Sequence, residues 1–378
     1  MPRMQFSRIV SIVDEIPKLK SSHDDLIKEA IQWGLDVIAS SWNWRYLSEE
    51  TFLTTVAPHT TGNVDVTNGS ATVSGGATSP VFTAAMVGRK IRIGGEQAYY
   101  RIKTFSSATS IVLEVPYQGD TDTDASYSIF KDEYRLPANL DKLKLMRQIQ
   151  NGTAIADLDP TLFDVLEPTP TSQGDPNFRI ISGSKLDTYS TGTVSATVNT
   201  SVITGSSTVW STLDGFGKQS RITVGSSVFT VKSVDSDTQV TVYENIAATI
   251  SGSTAYSISL DNLIIQFFDI PDKVQNIYFR YQRIPEILRQ DQDIPDLPEQ
   301  WHHLLVNAGL AVAWKVKDKA EAKSERGEFL AGIELMKKSI GSVGKQPQYR
   351  RASMDDYIAI NLPVGPRTTG NRGRPFGL

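Results

Sequence analysis

The same run of alternating residues occurs twice in the chain. Gly88-Arg89-Lys90-Ile91-Arg92-Ile93 aligns with Gly217-Lys218-Gln219-Ser220-Arg221-Ile222. Tyr100, Ile102 and Lys103 align with Phe229, Val231 and Lys232. Ser107, Thr109, Ile111 and Leu113 align with Ser236, Thr238, Val240 and Val242, and Tyr127-Ser128-Ile129 aligns with Tyr256-Ser257-Ile258. An offset of 129 runs without a gap from Gly88 to Ile129, with nine of the forty-two positions identical, too few to decide the matter alone. The shared register of apolar positions carries the argument, because a one-residue slip moves every side chain to the opposite face of a strand. Upstream the offset becomes 130, pairing Val64 with Val194 and Val73 with Ile203. A period this long describes a duplicated domain of about seventy residues rather than a solenoid.

Each copy reads as short strands. Val64 and Val66 lead into Asn68-Gly69, and Ala71 and Val73 follow, the strongest short hairpin signal because both turn residues tolerate positive φ. Further strands are expected at Arg89–Ile93, Ala98–Phe105, Ser110–Val115 and Ser126–Phe130, with turns at Gly94-Gly95 and around Asp120.

The flanks differ in character. A helix of roughly twenty residues is expected from Ser22, where Ser22 and Asp25 have capping-box spacing and Leu26, Ile27, Ala30, Ile31, Val37 and Ile38 share one face. It runs into Trp42, Trp44 and Tyr46, whose rings would anchor the helix end on a sheet or, less simply, stack on a ligand. Leu143–Ile149, Phe178–Ile181, Asn262–Phe268 and Ile277–Gln282 read as strands of a small core sheet, the Phe178 strand stopping at the second copy, and Asp157–Glu167 as a short helix. Beyond Pro298, Trp301, Leu304, Leu305, Ala308, Ala311, Val312 and Val316 form a helical stripe. A last helix with Phe329, Ile333, Met336 and Ile340 inward would end at Gly341, a residue suited to a helix C-terminus.

Residues 342–378 have no apolar period. Four Pro and five Gly leave no means of building a core, and Lys345, Arg350, Arg351, Arg367, Arg372 and Arg374 face only Asp355 and Asp356. The segment carries +4 and the rest of the chain −8. Such a segment orders on a partner, either an acidic protein surface or DNA, although interleaved aromatics are missing for the latter.

Chemistry is hard to find. Without cysteine there is no disulfide, thiolate nucleophile or zinc-thiolate site. His302 and His303 are adjacent on a helix and cannot chelate one metal; with His23 and His59 they read as surface or interface residues. Asp120-x-Asp122-x-Asp124 resembles the start of a calcium loop, but Ala125 replaces the required Gly and Lys131 the terminal Glu, so a solvated turn stands against a weak cation site. No phosphate loop, nucleophile elbow or placed carboxylate pair is present, so no catalytic residue, metal or cofactor is assigned and an enzyme such as a wall hydrolase is not expected. Arg8, Asp14 and Glu15 break the first apolar stretch, so no secretion signal is expected; no run of about 18 apolar residues suggests a membrane span.

The order of several strings resembles the head-to-tail adaptor, or connector, proteins of tailed bacteriophages. These are the N-terminal helix ending in SSWNW, the following EETF, DEYRLPANLDKL after the first copy, IIQFFDIPDKVQNIYFRYQRIP after the second, and IPDLPEQWHHLLVNAGLAVAWKVKD before the last helix. The repeated TGNVDVTNGSATVSG module is similar to small β-domains of phage structural proteins. The resemblance implies a non-enzymatic virion protein at the head-tail junction, assembled in the host cytoplasm. It implies a ring of twelve copies under the portal protein and above a downstream tail or nozzle protein, with double-stranded DNA passing without sequence specificity and no membrane partner. The terminal segment would run along the portal through Arg350, Arg351, Asp355, Asp356, Tyr357, Ile358, Arg367, Arg372 and Arg374, while Trp42, Trp44, Trp301, Leu305 and Val312 would form the structural core. A second reading makes the chain a tail component whose twin β-domains bind host glycans through Tyr99, Tyr117 or Trp210.

The expected fold is α+β. A helical core, from the N-terminal helix and a C-terminal helical pair, carries a small antiparallel sheet and two inserted β-domains. The expected divisions are 1–57 and 131–187 for core, 58–130 and 188–259 for the two β copies, 260–341 for core strands and helices, and 342–378 for the extended terminal segment.

Overall fold

The computed structural model describes residues 4–15, 24–166, 172–289, 291–316 and 319–341. Two helices open it, α1 (Phe6–Glu15) and α2 (Asp24–Ser41). β1 (Ser48–Thr54) follows, then a first β unit of β2 (Val64–Val66), β3 (Thr72–Gly75), β4 (Lys90–Ile93), β5 (Tyr100–Ser107), β6 (Ser110–Leu113), β7 (Asp122–Ala125) and β8 (Tyr127–Phe130). The central segment holds β9 (Glu133–Arg135), β10 (Leu140–Gln148), β11 (Ala156–Asp157), α3 (Pro160–Leu166) and β12 (Gln173–Gly174). β13 (Phe178–Tyr189) leads into β14 (Thr193–Ala196), β15 (Val202–Ser206), β16 (Arg221–Val224), β17 (Ser227–Ser236), β18 (Gln239–Val242), β19 (Ile250–Thr254) and β20 (Tyr256–Phe268). β21 (Ile270–Pro271), β22 (Asn276–Arg283), α4 (His303–Ala313) and α5 (Lys319–Gly341) complete it.

The expected helical core with a small sheet is not what this chain builds. Among the described residues strands take 38% and helices 24%, so the fold is predominantly β, and the helices enclose one of the five apolar clusters found there. The expectation gave too much weight to the long helical stripes and too little to strand length. Thirteen residues from Tyr256 to Phe268 form one strand, β20, because burial alternates along it through Tyr256, Ile258, Leu260 and Asn262 into the central segment. β13 pairs with it over most of its length, from Phe178↔Phe268 to Tyr189↔Ile258. Both therefore belong to a ten-stranded sheet joining the second β unit to β9, β11 and β13.

The strand order in the first unit is β7-β2-β3-β6-β5-β4-β8, and in the second β19-β14-β15-β18-β17-β16-β20. Equivalent contacts recur. The Tyr127 hydroxyl donates to the Thr61 carbonyl and the Tyr256 hydroxyl to that of Thr191, both at 2.6 Å. Phe82 packs on Tyr127 as Trp210 packs on Tyr256. One stretch of the gapless 129 offset is corrected. Ile91 pairs with Ile129 and Ile222 with Ile258, so β4 corresponds to β16 at an offset of 131. Gly88 and Gln219, both in the left-handed region at φ 84° and 68°, then occupy equivalent places. The β16–β17 turn is two residues shorter than the β4–β5 connection, and an even change keeps every side chain on its face.

A separate three-stranded antiparallel sheet has the order β1-β22-β10. One of its faces supplies Leu53, Met146, Ile277, Phe279 and Tyr281 to a core shared with Tyr134, Leu136, Ile265 and Phe267 from β9, its flank and β20. In the helical cluster α4 is apolar on all sides and packs against α1, α2 and α5. α1 and β7, where the sequence suggested only a broken apolar stretch and a turn, are regular elements. α5 ends at Gly341 as the pattern indicates.

Candidate interaction surfaces

The described residues bring together two charged nodes and one open sheet face. The first node ties the first β unit to the central strands. Lys90 on β4 is 4% exposed and its Nζ lies 2.7 Å from Asp132 Oδ2 and 3.1 Å from Glu133 Oε1. Arg101 on β5 grips both Glu133 oxygens at 2.8 and 3.0 Å, and Gln266 on β20 donates to Asp132 at 2.8 Å. Burial works against the Lys90 charge, but Asp132 and Glu133 outweigh it and raise its pKa. Burial likewise opposes ionisation of Glu133, and Arg101 and Lys90 overcome it and lower the pKa. Fully partnered charges of this kind fix register between units while adding little net stability.

A second node joins the central sheet to the segment leading into α4. Arg283 at the end of β22 pairs with both Asp296 oxygens, and Asp296 also accepts the Glu286 backbone N–H at 2.8 Å. Lys218 of the second β unit pairs with Glu286. Burial raises the Asp296 pKa, and the Arg283 bonds and charge outweigh that and hold it below the usual carboxylate range.

The third feature is the outward face of β1-β22-β10. Cross-strand pairing puts Glu50 beside Arg280 and Phe52 beside Tyr278, with Leu145 opposite Arg280 and Arg147 opposite Tyr278. Phe52 is 61% exposed and meets Tyr278 edge-on. The Arg147 guanidinium lies 4.7 Å over the Tyr278 ring, and Arg280 pairs with Glu50. At one end of the face Gln282 donates to the carbonyls of Ala39 and Trp42 at 3.0 and 3.1 Å, seating the end of α2 on the sheet. Lys142 and Lys144 reach the Ser40 and Trp44 carbonyls. Sequence reading passed over this face. Its signal was the cation-apolar alternation in LDKLKLMRQ and IYFRYQR.

The residues singled out from sequence divide clearly. Trp44 and Leu305 are fully buried, with Trp44 Nε1 donating to Ile38 O at 2.6 Å; Trp301 packs partly buried against the same cluster and Val312 is half-buried. Trp42 is 41% exposed and lies outside the core, because it is its backbone carbonyl, not its ring, that docks on the sheet. Tyr117 and Trp210 are core residues, 2% and 0% exposed, and only Tyr99 remains an exposed ring, with Lys90 Nζ 4.8 Å above it. The glycan reading thus loses two of its three rings. His302, expected at a surface or interface, is 1% exposed within the chain, with Nε2 2.9 Å from Leu297 O, while His303 is exposed and His59 bridges to Ile129. Asp124 accepts the Ala77 N–H and gives its own N–H to Asp65, and no cluster of metal-ligating side chains occurs among the described residues. Arg350, Arg351, Asp355, Asp356, Tyr357, Ile358, Arg367, Arg372 and Arg374, and also His23, lie outside the described residues.

Residues 194–355 match the family model described as SU10 adaptor protein. The match runs from the second β unit through β20, β22, α4 and α5, and points to a phage structural protein of adaptor type, a virion component. No curated protein matches the chain. No helix among the described residues is long and apolar enough to cross a membrane.

Proposed function

We propose that the chain is a head-to-tail adaptor that forms a closed ring, of twelve copies, between portal and tail, with DNA passing through its centre. The match to the SU10 adaptor family carries this reading, because it spans scaffold strands and helices as well as a β unit. The charged nodes support it: one ties the first β unit to β9 and β20, and the other ties β22 and the second β unit to the approach to α4, so the parts of a ring subunit are held together. In this reading the two seven-stranded units are copies of one module projecting from the ring, and the segment 342–378 anchors the ring on the portal. Its basic charge and lack of an apolar period suit a segment that orders as it binds.

Truncation after Gly341 tests the anchor. The truncated chain is expected to lose binding to portal rings from the same virion in a sedimentation or pull-down assay. Full-affinity binding by the truncated chain overturns the assignment.

A further inference from the structure

The open face of β1-β22-β10 is basic and aromatic, and it is short of carboxylates. Lys142, Lys144, Arg147 and Arg280 share it with Glu50, which is committed to Arg280, and Asp141, 3.8 Å from Lys142. Arg147 rests on the Tyr278 ring rather than on an acid. Burial, Arg280 and Lys142 together lower the pKa of Lys144, the mark of a cationic cluster that an incoming anion would relax. Phe52 projects from the same surface.

α5 carries the complementary arrangement. Glu321, Glu325 and Glu328 recur at helical spacing on one flank, while Lys319, Lys323 and Arg326 lie on the other. Burial, then Glu328 and Glu321, push the Glu325 pKa up, so this flank too is a like-charge cluster. Leu335, 58% exposed, continues the acidic flank towards the end of the helix. The acidic run is the shorter of the two. Glu321 to Glu328 spans about 10 Å at the helical rise, and Lys142 to Arg147 spans about 17 Å of extended strand.

We propose that the open face of β1-β22-β10 docks on the acidic flank of α5 of a second copy of this chain, the cations of the sheet meeting Glu321, Glu325 and Glu328, and Phe52 meeting Leu335. The two surfaces differ, so the contact is heterologous and repeats from copy to copy until it closes. It deepens, and rests on, the ring reading above. A second copy fits better than duplex DNA, because Phe52 and Leu145 would have no apolar counterpart on a phosphate backbone, whereas α5 offers Leu335.

The test exchanges charge between the surfaces of the full chain. Lys144→Glu with Arg147→Glu makes one variant, Glu321→Lys with Glu325→Lys the other, and sedimentation velocity reads association across a concentration series. The wild type is expected to associate, more weakly in added salt. Each variant alone is expected to stay monomeric, and their equimolar mixture to assemble, which also shows both to be folded. The isosteric Arg147→Gln and Glu325→Gln variants are expected to weaken association several-fold each. Variants that assemble like the wild type, or a mixture that stays monomeric while the Gln variants assemble normally, overturn the docking. So does loss of duplex DNA retardation by the sheet variant with assembly untouched. A wild-type chain monomeric at every concentration overturns the ring reading itself, an outcome distinct from an assembled wild type with unresponsive variants.

Discussion

Lys90 shows how much one buried charge can govern. Its side chain, 5% exposed, places its ammonium between Asp132 and Glu133 at the junction of the first β unit with the central strands. Lys90→Met is expected to destabilise the chain by about 3–5 kcal/mol, because Asp132, 2% exposed, would be left buried without its partner. A urea denaturation midpoint measures this, and pairing the change with Asp132→Leu should recover most of the loss. The pH dependence has a defined sign. The folded-state pKa values of Glu133 and Asp296 are lowered, so their contribution is fully present above the ordinary carboxylate range and disappears as pH falls through and below it. Lys90, whose pKa is raised, contributes fully below the ordinary lysine range and loses that contribution only as pH climbs past it. Thermal midpoints should therefore hold flat near neutrality and fall on the acid side first; a midpoint that rose on acidification would contradict the assignment. Nothing in the sequence singles out Lys90, since the pairing needs residues 42 positions apart to meet.

Among the elements, the helices pack through close approach. A Cβ on Gly34 of α2 would stand 2.5 Å from the Ala308 Cβ on α4, a methyl that cannot swing aside. Gly34→Ala should force the two helices apart and cost about 1–3 kcal/mol, read from chemical unfolding, although alanine is the better helix former. At Gly69, with φ 79°, nothing lies within 4 Å of a Cβ, so only the backbone conformation limits substitution there. Strand existence was legible from period-two alternation, including both halves of the Asn68-Gly69 hairpin. Strand length was less so. Gly183 sits at a register shift inside β13, and the expectation stopped that strand at Ile181, whereas pairing with β20 carries it to Tyr189. β7 lies among acids that sequence reading assigns to a turn; cross-strand bonds to β2, not intrinsic preference, make it a strand.

For the whole molecule, residues 342–378 have no apolar period with which to add to a core. Truncation after Gly341 should therefore leave the thermal midpoint within about a degree of the full chain while portal binding is lost, separating anchoring from folding. The central sheet is the meeting point of the other parts. Its inner face shares a core with β9 and β20, Gln282 at one end of β22 holds α2, and Arg283 ties it to the approach to α4. Pulling any one part away exposes paired charge as well as apolar surface, which is why a charge change at either node is expected to act on units far from it in sequence.

The sequence by itself determined the recurring strand pattern, the helical stripes of α2, α4 and α5, and the basic composition after Gly341, because each follows from local spacing or composition. It also carried the adaptor resemblance, in the order of those pieces. Tertiary structure decided the balance of the fold, the two-residue shift between β4 and β16, the burial of His302 and Trp210, and the exposure of Trp42. Those depend on which surfaces meet across a hundred residues or more. Alternation tells that a residue faces one side of a strand, but only the partner packed there decides whether that side is core, as for Phe279, or open, as for Phe52.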